Sequence, residues 1–217
     1  MELNMIRNLI VAFWLTLLIT GCDTKTQADI SYGTIHDNVY NNKYFDISIN
    51  VPDAWFVQSQ AEQKALMETG SNLIAGEDKT LKAVMKESEK QTVNLFSFFK
   101  FEPGSSVNFN PNIISVAERV SHIPGIKKGS DYLFHAKKLL ESGQMNYEFP
   151  NNIYTKEISG ASFDVMPAQI TVKNITVYQE YHALKVKDYV LAFILSYSSD
   201  PEKAELENAL NKLKFSK

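Results

Sequence analysis

The segment Tyr189–Tyr197 constrains the fold of this chain more than any other feature. Its sequence, YVLAFILSY, is almost entirely apolar, so both faces of an extended strand here are apolar. Such a strand is buried on both sides, which places it inside a sheet that other layers cover on both faces. Residues 92–101 have the same character, with Leu95 on one face and Phe96 and Phe98 on the other. The sequence therefore predicts a central sheet between two outer layers.

Hairpin-forming strands make up much of the remaining chain. Residues 45–51 alternate apolar and polar side chains, the pattern of a strand with one solvated face. A two-residue connection at Lys187 and Asp188 leads directly into Tyr189–Tyr197, which predicts a hairpin. Further strands are expected at residues 33–40, 54–57, 113–120, 145–158, 163–172 and 176–186.

Helices are expected at three places between these strands. Residues 59–89 are rich in helix-forming residues, with Gly70 and Gly76 as expected breaks. A second helix is expected to begin at a Ser130 cap and end at Gly143, and a third is expected to follow an Asp200 cap. The sequence therefore predicts an α+β fold in which an antiparallel sheet carries helices on both faces.

An apolar run followed by a single cysteine stands near the first residue. Residues 9–19 are apolar, as in the core of a signal peptide, and fall short of the roughly twenty residues of a transmembrane helix. The run leads into the sequence ITGC at positions 19–22, which resembles a bacterial lipobox. We therefore expect residues 1–21 to be a lipoprotein signal peptide that is removed. An ordinary secretory signal would need an Ala-x-Ala-like site, and an uncleaved anchor would need a longer apolar run.

Lipidation of Cys22 would determine both the location of the protein and the thiol chemistry available to its domain. Acyl chains such as palmitate on Cys22 would anchor the chain to a membrane, with residues 22–30 as the lipidated cysteine and a short polar tether. Lipoproteins with aspartate after the cysteine, here Asp23, resemble those retained in the inner membrane and facing the periplasm, so we expect that location before the outer membrane. Because Cys22 is the single cysteine, the domain would have no thiol for disulfides, catalysis or metal binding.

Residues 31–217 are expected to form one domain without catalytic, cofactor or metal motifs. The chain has a net charge of −3, which argues against the basic surface that nucleic-acid binding requires. Neither a Gly-x-Ser-x-Gly nucleophile elbow nor a Walker loop is present. Glu87, Glu89 and Lys90 are interpreted as a solvated helix end, and His135 as a surface or boundary residue. The histidines lie far apart, without metal-ligand spacing, at His36, His122, His135 and His182.

The sequence from Tyr40 to Trp55, YNNKYFDISINVPDAW, carries a family resemblance. A strand, a turn near Tyr and Asn, a second strand and a Pro-x-x-Trp motif at Pro52 and Trp55 resemble the opening of the PsbP-like (PsbP/Mog/DcrB) superfamily. The order of the following elements is also similar to that family over nearly the whole chain after the signal peptide. The resemblance implies a PsbP-like α/β/α sandwich with a binding or assembly role, and it transfers no catalytic residue.

Three functional hypotheses follow from these observations. The first is a non-catalytic, membrane-anchored envelope lipoprotein that binds a protein partner or assists assembly of an envelope complex. The second is a small-molecule or lipid-binding module with a cavity between sheet and helix, favoured by the many Phe and Tyr residues. The third is a hydrolase whose site assembles from residues distant in sequence. Trp55 fits either a core position under the first hairpin or a ligand groove.

Overall fold

The structure, a computed structural model, describes residues 32–172 and 174–216. The expected signal peptide at 1–21, the lipidation site Cys22, Asp23 and the tether at 22–30 lie outside the described residues. The described residues belong to one compact unit, so we expect residues 31–217 to fold on their own. Within the described part of the chain, no helix combines the length and apolar character needed to cross a membrane.

The described residues contain helices and strands in the following chain order. They are β1 (Thr34–His36), β2 (Val39–Asn42), β3 (Ile47–Asn50), β4 (Phe56–Val57), α1 (Gln60–Ala75), α2 (Lys79–Gln91), β5 (Thr92–Phe99), β6 (Asn112–Arg119), α3 (Gly129–Ser142), β7 (Tyr147–Glu148), β8 (Tyr154–Ile158), β9 (Ala161–Val172), β10 (Ile175–Val186), β11 (Tyr189–Tyr197), α4 (Asp200–Leu210) and β12 (Lys214–Phe215).

An eight-stranded antiparallel sheet forms the centre of the described structure. Its order is β4-β5-β6-β11-β10-β9-β7, and β8 pairs with the first residues of β9, from Ala161 to Val165. β11 lies inside the sheet between β6 and β10, and all of its residues except Ile194 are buried. The prediction of a central strand at Tyr189–Tyr197 is therefore confirmed.

The two faces of this sheet are covered by different layers. Side chains alternate between faces along a strand, so Ala192 and Ile194 of β11 point to one face and Phe193 and Leu195 to the other. α1, α2 and α3 cover the face of Ala192 and Ile194. α4 covers the opposite face, where Lys203 contacts Tyr197. The expected α+β class, with an antiparallel sheet and helices on both faces, is confirmed.

A second, four-stranded sheet also lies on the α4 face, and the sequence did not predict it. Its order is β1-β2-β3-β12, so the chain's last described strand returns to pair with β3. It packs on the large sheet through Tyr40 against Phe96 and Phe45 against Tyr189, both edge-to-face. The expected single strand at 33–40 is in fact a hairpin, because Asp37 and Asn38 adopt positive φ and reverse the chain.

β5 contains an irregularity that changes which side chains face each layer. Asn94 pairs with Val116 of β6, but Phe96 pairs with the adjacent residue Ser115, so Leu95 is an extra residue in β5. Before Leu95, Asn94 shares the face of α1, α2 and α3. After it, Phe96 points to the face of α4 and the small sheet. This bulge lets the strand contribute polar side chains to one layer and aromatic rings to the other.

Several expected helix boundaries differ from the structure. Gly70 lies within α1 and does not break it, whereas Gly76 ends α1 as expected, with positive φ. α3 begins at Gly129 instead of after a Ser130 cap, because Asp131 accepts the backbone N–H groups that precede the helix. α4 has Ser199 as its N-cap, and Asp200 supplies first-turn charge.

Gly129 brings α3 close to the sheet. A β-carbon at this position would collide with the backbone carbonyl oxygen of Ala183 in β10. The next residue, Ser130, donates its backbone N–H to the Asp164 carboxylate of β9 at 2.7 Å. The N-terminus of α3 is therefore fixed to two adjacent strands, and only glycine permits this approach.

Candidate binding cleft

A cleft opens where α1, α2 and α3 cross the large sheet. α1 and α2 form one wall, α3 forms the other, and β5, β6, β10 and β11 form the floor. Its volume is about 700 Å³, within the roughly 300–1,000 Å³ that small-molecule sites occupy. We name this space the helix–sheet cleft. The interior between sheet and helices is therefore not fully packed, as the small-molecule hypothesis requires.

The walls and floor of the helix–sheet cleft are mostly apolar. Amphipathic helices present these side chains because their apolar stripes face the sheet. Two of them are methionines, which adapt readily to ligands of irregular shape. The aliphatic and methionine side chains that line it are Ala61, Met67, Ile74, Met85, Val116, Leu133, Ala136, Leu139, Leu140, Ala192 and Ile194.

Glu118 joins the two walls at the floor of the cleft. It lies on β6, where it continues the row of side chains that face the helices. Its Oε1 accepts a hydrogen bond from Ser88 Oγ of α2 at 2.8 Å, and its Oε2 accepts one from the Tyr132 hydroxyl of α3 at 2.9 Å. One partly buried carboxylate thus holds a residue from each of two helices. We name these three residues the Glu118 cluster.

The direction of these hydrogen bonds follows from the protonation of Tyr132. Burial, together with the nearby charge of Glu118, raises the pKa of Tyr132 well above its usual value. The phenol therefore keeps its proton and donates a hydrogen bond to Glu118. A carboxylate has about four lone-pair positions, so two donors leave it able to accept from a further group in the cleft.

The wall formed by α1 and α2 carries one more hydroxyl–carboxylate pair. Ser71 Oγ of α1 donates to Glu89 Oε1 of α2 at 2.7 Å. Glu89 is partly buried and lines the cleft, so its interpretation as part of a solvated helix end is wrong, whereas Glu87 and Lys90 are exposed and pair with each other. At the exposed rim, Lys64 lies 3.9 Å from Glu68.

A different polar cluster lies on the α4 face of the sheet. Glu180 Oε2 is 3.2 Å from His182 Nε2, and Glu180 Oε1 is 2.7 Å from Lys203 Nζ of α4. Burial alone would raise the pKa of Glu180, but hydrogen bonds from His182 and Lys203 outweigh it and lower the pKa to about 2. Burial combined with the charge of Glu180 raises the pKa of Tyr197 to about 12. This cluster fixes α4 to the sheet.

The residues considered as possible sites lie apart from one another. His36, His122 and His135 are exposed, which confirms the prediction for His135, and His182 is fully buried in the cluster beneath α4. Trp55 is partly buried and is not among the buried core residues, so its interpretation as a core residue is wrong, and it does not line the helix–sheet cleft. Across residues 32–172 and 174–216, no group of three His, Cys, Asp or Glu side chains is arranged to hold a metal ion.

Sequence analysis missed the Glu118 cluster because its members are far apart. Ser88 is 30 residues and Tyr132 is 14 residues from Glu118 in the chain. One signal was available: Glu118 follows Ile114 and Val116 in the same alternating row, so it is a charged residue on an otherwise apolar face. A charge in such a row indicates either a strand end or a buried polar site.

Comparisons with known proteins define the fold. No protein-family model and no curated protein matches this chain. The solved structure of cyanobacterial PsbP (CyanoP) from Synechocystis sp. PCC 6803 is similar, at 10% identity and a TM-score of 0.51, over 85% of this chain and 98% of that one. The described domain therefore has a PsbP-like fold. At this identity the likeness shows the fold alone.

Two other solved structures match more weakly. LpqN of Mycobacterium tuberculosis, described as involved in cell envelope biogenesis, is 15% identical with a TM-score of 0.41, over 79% of this chain and 83% of that one. PA94 of Pseudomonas aeruginosa, described as a putative regulator of unknown function, is 13% identical with a TM-score of 0.39, over 79% and 88% of the two chains. Neither likeness carries a functional argument.

Proposed function

We propose that this chain is a non-catalytic, membrane-anchored envelope lipoprotein whose PsbP-like domain binds an apolar small molecule in the helix–sheet cleft. The observation that carries the proposal is the cleft itself, about 700 Å³ in volume between helices and sheet. Its apolar lining and few converging polar groups are the features of small-molecule sites. Among the hypotheses from sequence, the structure thus favours the small-molecule or lipid-binding module.

Binding can be tested with residues 31–217 and the neutral fluorescent probe N-phenyl-1-naphthylamine. We expect saturable fluorescence enhancement in the unmodified domain. Ala136→Phe places a phenyl ring in the cleft and should abolish this enhancement, because Ala136 lies on the α3 wall. Ala204→Phe is the matched control, since Ala204 is exposed on α4 at the opposite face. Equal enhancement in both variants would contradict binding in the cleft.

The lipoprotein part of the proposal rests on positions 19–22 and has a separate test. In cells labelled with radioactive palmitate, the full-length chain should incorporate label and lose residues 1–21. Cys22→Ala should remain unprocessed and unlabelled, because the acyl acceptor is absent. Fractionation of the membranes then tests the inner-membrane location expected from Asp23. Continued labelling of Cys22→Ala would contradict the anchor without affecting the cleft.

A protein-partner role is the second candidate, and a surface feature favours it. Each helix of the three-helix layer exposes about half of a large apolar side chain, namely 53% of Leu73 on α1, 51% of Val84 on α2 and 50% of Phe134 on α3. Single exposed apolar residues are common, so this support is weaker than that of the cleft. A photo-crosslinking residue at position 134 of the full-length chain should capture a specific envelope protein if this role holds, and position 204 serves as control.

A further inference from the structure

We propose that the ligand of the helix–sheet cleft is an amphiphile with an apolar chain and a primary ammonium head, and that Glu118 binds this head. The inference rests on the proposed small-molecule function and adds the charge and hydrogen-bonding character of the ligand. It depends on the placement of charges along the cleft and on the unused acceptor capacity of the Glu118 cluster.

Most of the charged side chains that line the cleft are negative. Three glutamates line it, namely Glu68, Glu89 and Glu118, against one lysine, Lys64. Lys64 and Glu68 are both exposed at the rim and lie near each other, so the cation is balanced outside the deeper space. Glu89 and Glu118 are partly buried. The inner part of the cleft is therefore negative, which disfavours a carboxylate or phosphate head.

Glu118 acts only as a hydrogen-bond acceptor in its cluster. Both of its described partners, Ser88 and Tyr132, donate to it, and neither is charged. The carboxylate can accept from a further donor but cannot donate to one. A primary ammonium supplies several N–H donors together with the opposite charge, and charge-assisted hydrogen bonds are stronger than neutral ones.

An aromatic residue, Tyr132, lies beside the carboxylate, and its hydroxyl donates to Glu118 Oε2. Tyr132 and Tyr181 both line the cleft, from α3 and β10 respectively. Aromatic rings attract cations through their negative faces, most effectively where water is excluded. The carboxylate and the neighbouring ring of Tyr132 therefore favour the same head group. The apolar lining beyond them, including Met67 and Leu140, accommodates a hydrocarbon chain.

The test compares three probes that differ only in their heads: n-dodecylamine, dodecanol and dodecanoic acid, each at pH 7 and below its micelle concentration. Affinity for residues 31–217 is measured by calorimetry. We expect n-dodecylamine to bind at least about tenfold more tightly than dodecanoic acid. Glu118→Gln keeps the shape of the side chain but removes its charge, so it should reduce this preference to less than about threefold.

Two controls keep the outcomes distinct. Glu87→Gln removes a carboxylate from the exposed side of α2, outside the cleft, and should leave the tenfold preference unchanged. Retained dodecanol binding by Glu118→Gln shows that this variant still folds. Equal affinity for the amine and the acid, or an unchanged preference in Glu118→Gln, overturns the ammonium inference while the cleft remains a binding site. If no probe binds the unmodified domain, the proposed function itself fails.

Discussion

On the α4 face of the large sheet, the rings of Phe96 and Phe163 each contact the ring of Phe193, and Glu180 pairs directly with Lys203 of α4. On the other face, three helices enclose the helix–sheet cleft of about 700 Å³ and a carboxylate with acceptor capacity to spare. The same strands supply both faces. The comparison indicates that the α4 face stabilises the fold, which allows the opposite face to remain incompletely packed.

The largest expected change in the free energy of unfolding comes from comparing two adjacent residues of β11 that face opposite layers. Phe193 is fully buried on the α4 face, so Phe193→Ala should lower the free energy of unfolding by about 3–5 kcal/mol. Ile194 faces the cleft and already lacks part of its packing, so Ile194→Ala should cost only about 1–2 kcal/mol. Urea denaturation of residues 31–217 measures both. Equal losses would mean that the two faces contribute alike.

The charged cluster should produce the next largest effect. Glu180→Gln removes hydrogen bonds to His182 and Lys203 and should cost about 2–3 kcal/mol at pH 7, reduced because Lys203 is 35% exposed. The pKa of Glu180 is lowered from 4.5 to about 2 in the fold, so its ionised form stabilises the protein above pH 4.5. That stability is lost as the pH falls towards 2.

The pH profile distinguishes this effect from a general packing defect. Urea denaturation between pH 7 and pH 2.5 should show a nearly constant difference between the unmodified domain and Glu180→Gln above pH 5. Below pH 4.5 the difference should shrink, because the unfolded chain takes up a proton at Glu180 while the folded domain, with its pKa of about 2, does not, so unfolding of the unmodified domain becomes easier. A difference that stays constant throughout this range would rule out the ionised Glu180 as its source.

A smaller effect is expected where α3 meets the sheet. Gly129→Ala would place a methyl group against the carbonyl oxygen of Ala183, so α3 must shift, at a cost of about 1–3 kcal/mol. Gly125→Ala is the matched control, because nothing lies within 4 Å of a β-carbon there and its φ is not positive. Probe binding should weaken in Gly129→Ala alone, since α3 forms a wall of the cleft.

The smallest effect tests the free space directly. Ala136→Leu extends a side chain into the cleft and should change the free energy of unfolding by less than about 1 kcal/mol, because room exists there. The same substitution at Ala209, which is buried on α4, should cost about 1–3 kcal/mol through overpacking. Thermal unfolding of the two variants compares them. A large loss in Ala136→Leu would show that the cleft is filled by its own side chains.

The sequence predicted the layers of the fold better than its details. Local patterns were sufficient to predict β11, because its apolar run makes both faces of the strand apolar. They were also sufficient for the hairpin at Lys187, a residue whose φ is positive, as a tight turn requires. They failed at Gly70, where packing of α1 on the sheet outweighs the modest cost of glycine in a helix. They also failed for β12, whose strand is two residues long and is defined by its distant partner β3.

The candidate site was less predictable than the fold, for a related reason. Ser88, Glu118 and Tyr132 meet only after two helices and a strand have packed together, so no spacing in the sequence marks them. Tyr132 also fits an apolar position of α3 through its ring, so the sequence gives no separate signal for its hydroxyl. The many Phe and Tyr residues favour a cavity between sheet and helix, but they do not predict which residues line it.

The extra residue Leu95 in β5 has a consequence for how this domain can diverge. Before it, even-numbered side chains such as Asn94 face the helices, and after it odd-numbered ones such as Ser97 do. Deleting Leu95 would restore regular alternation, because Asn94 and Phe96 already pair with adjacent residues of β6, and the rings of Phe96 and Phe98 would stay on the α4 face. A one-residue deletion in the regularly paired part of β5 would instead move every side chain beyond it to the other layer, so position 95 is where this strand can change length without exchanging its two faces.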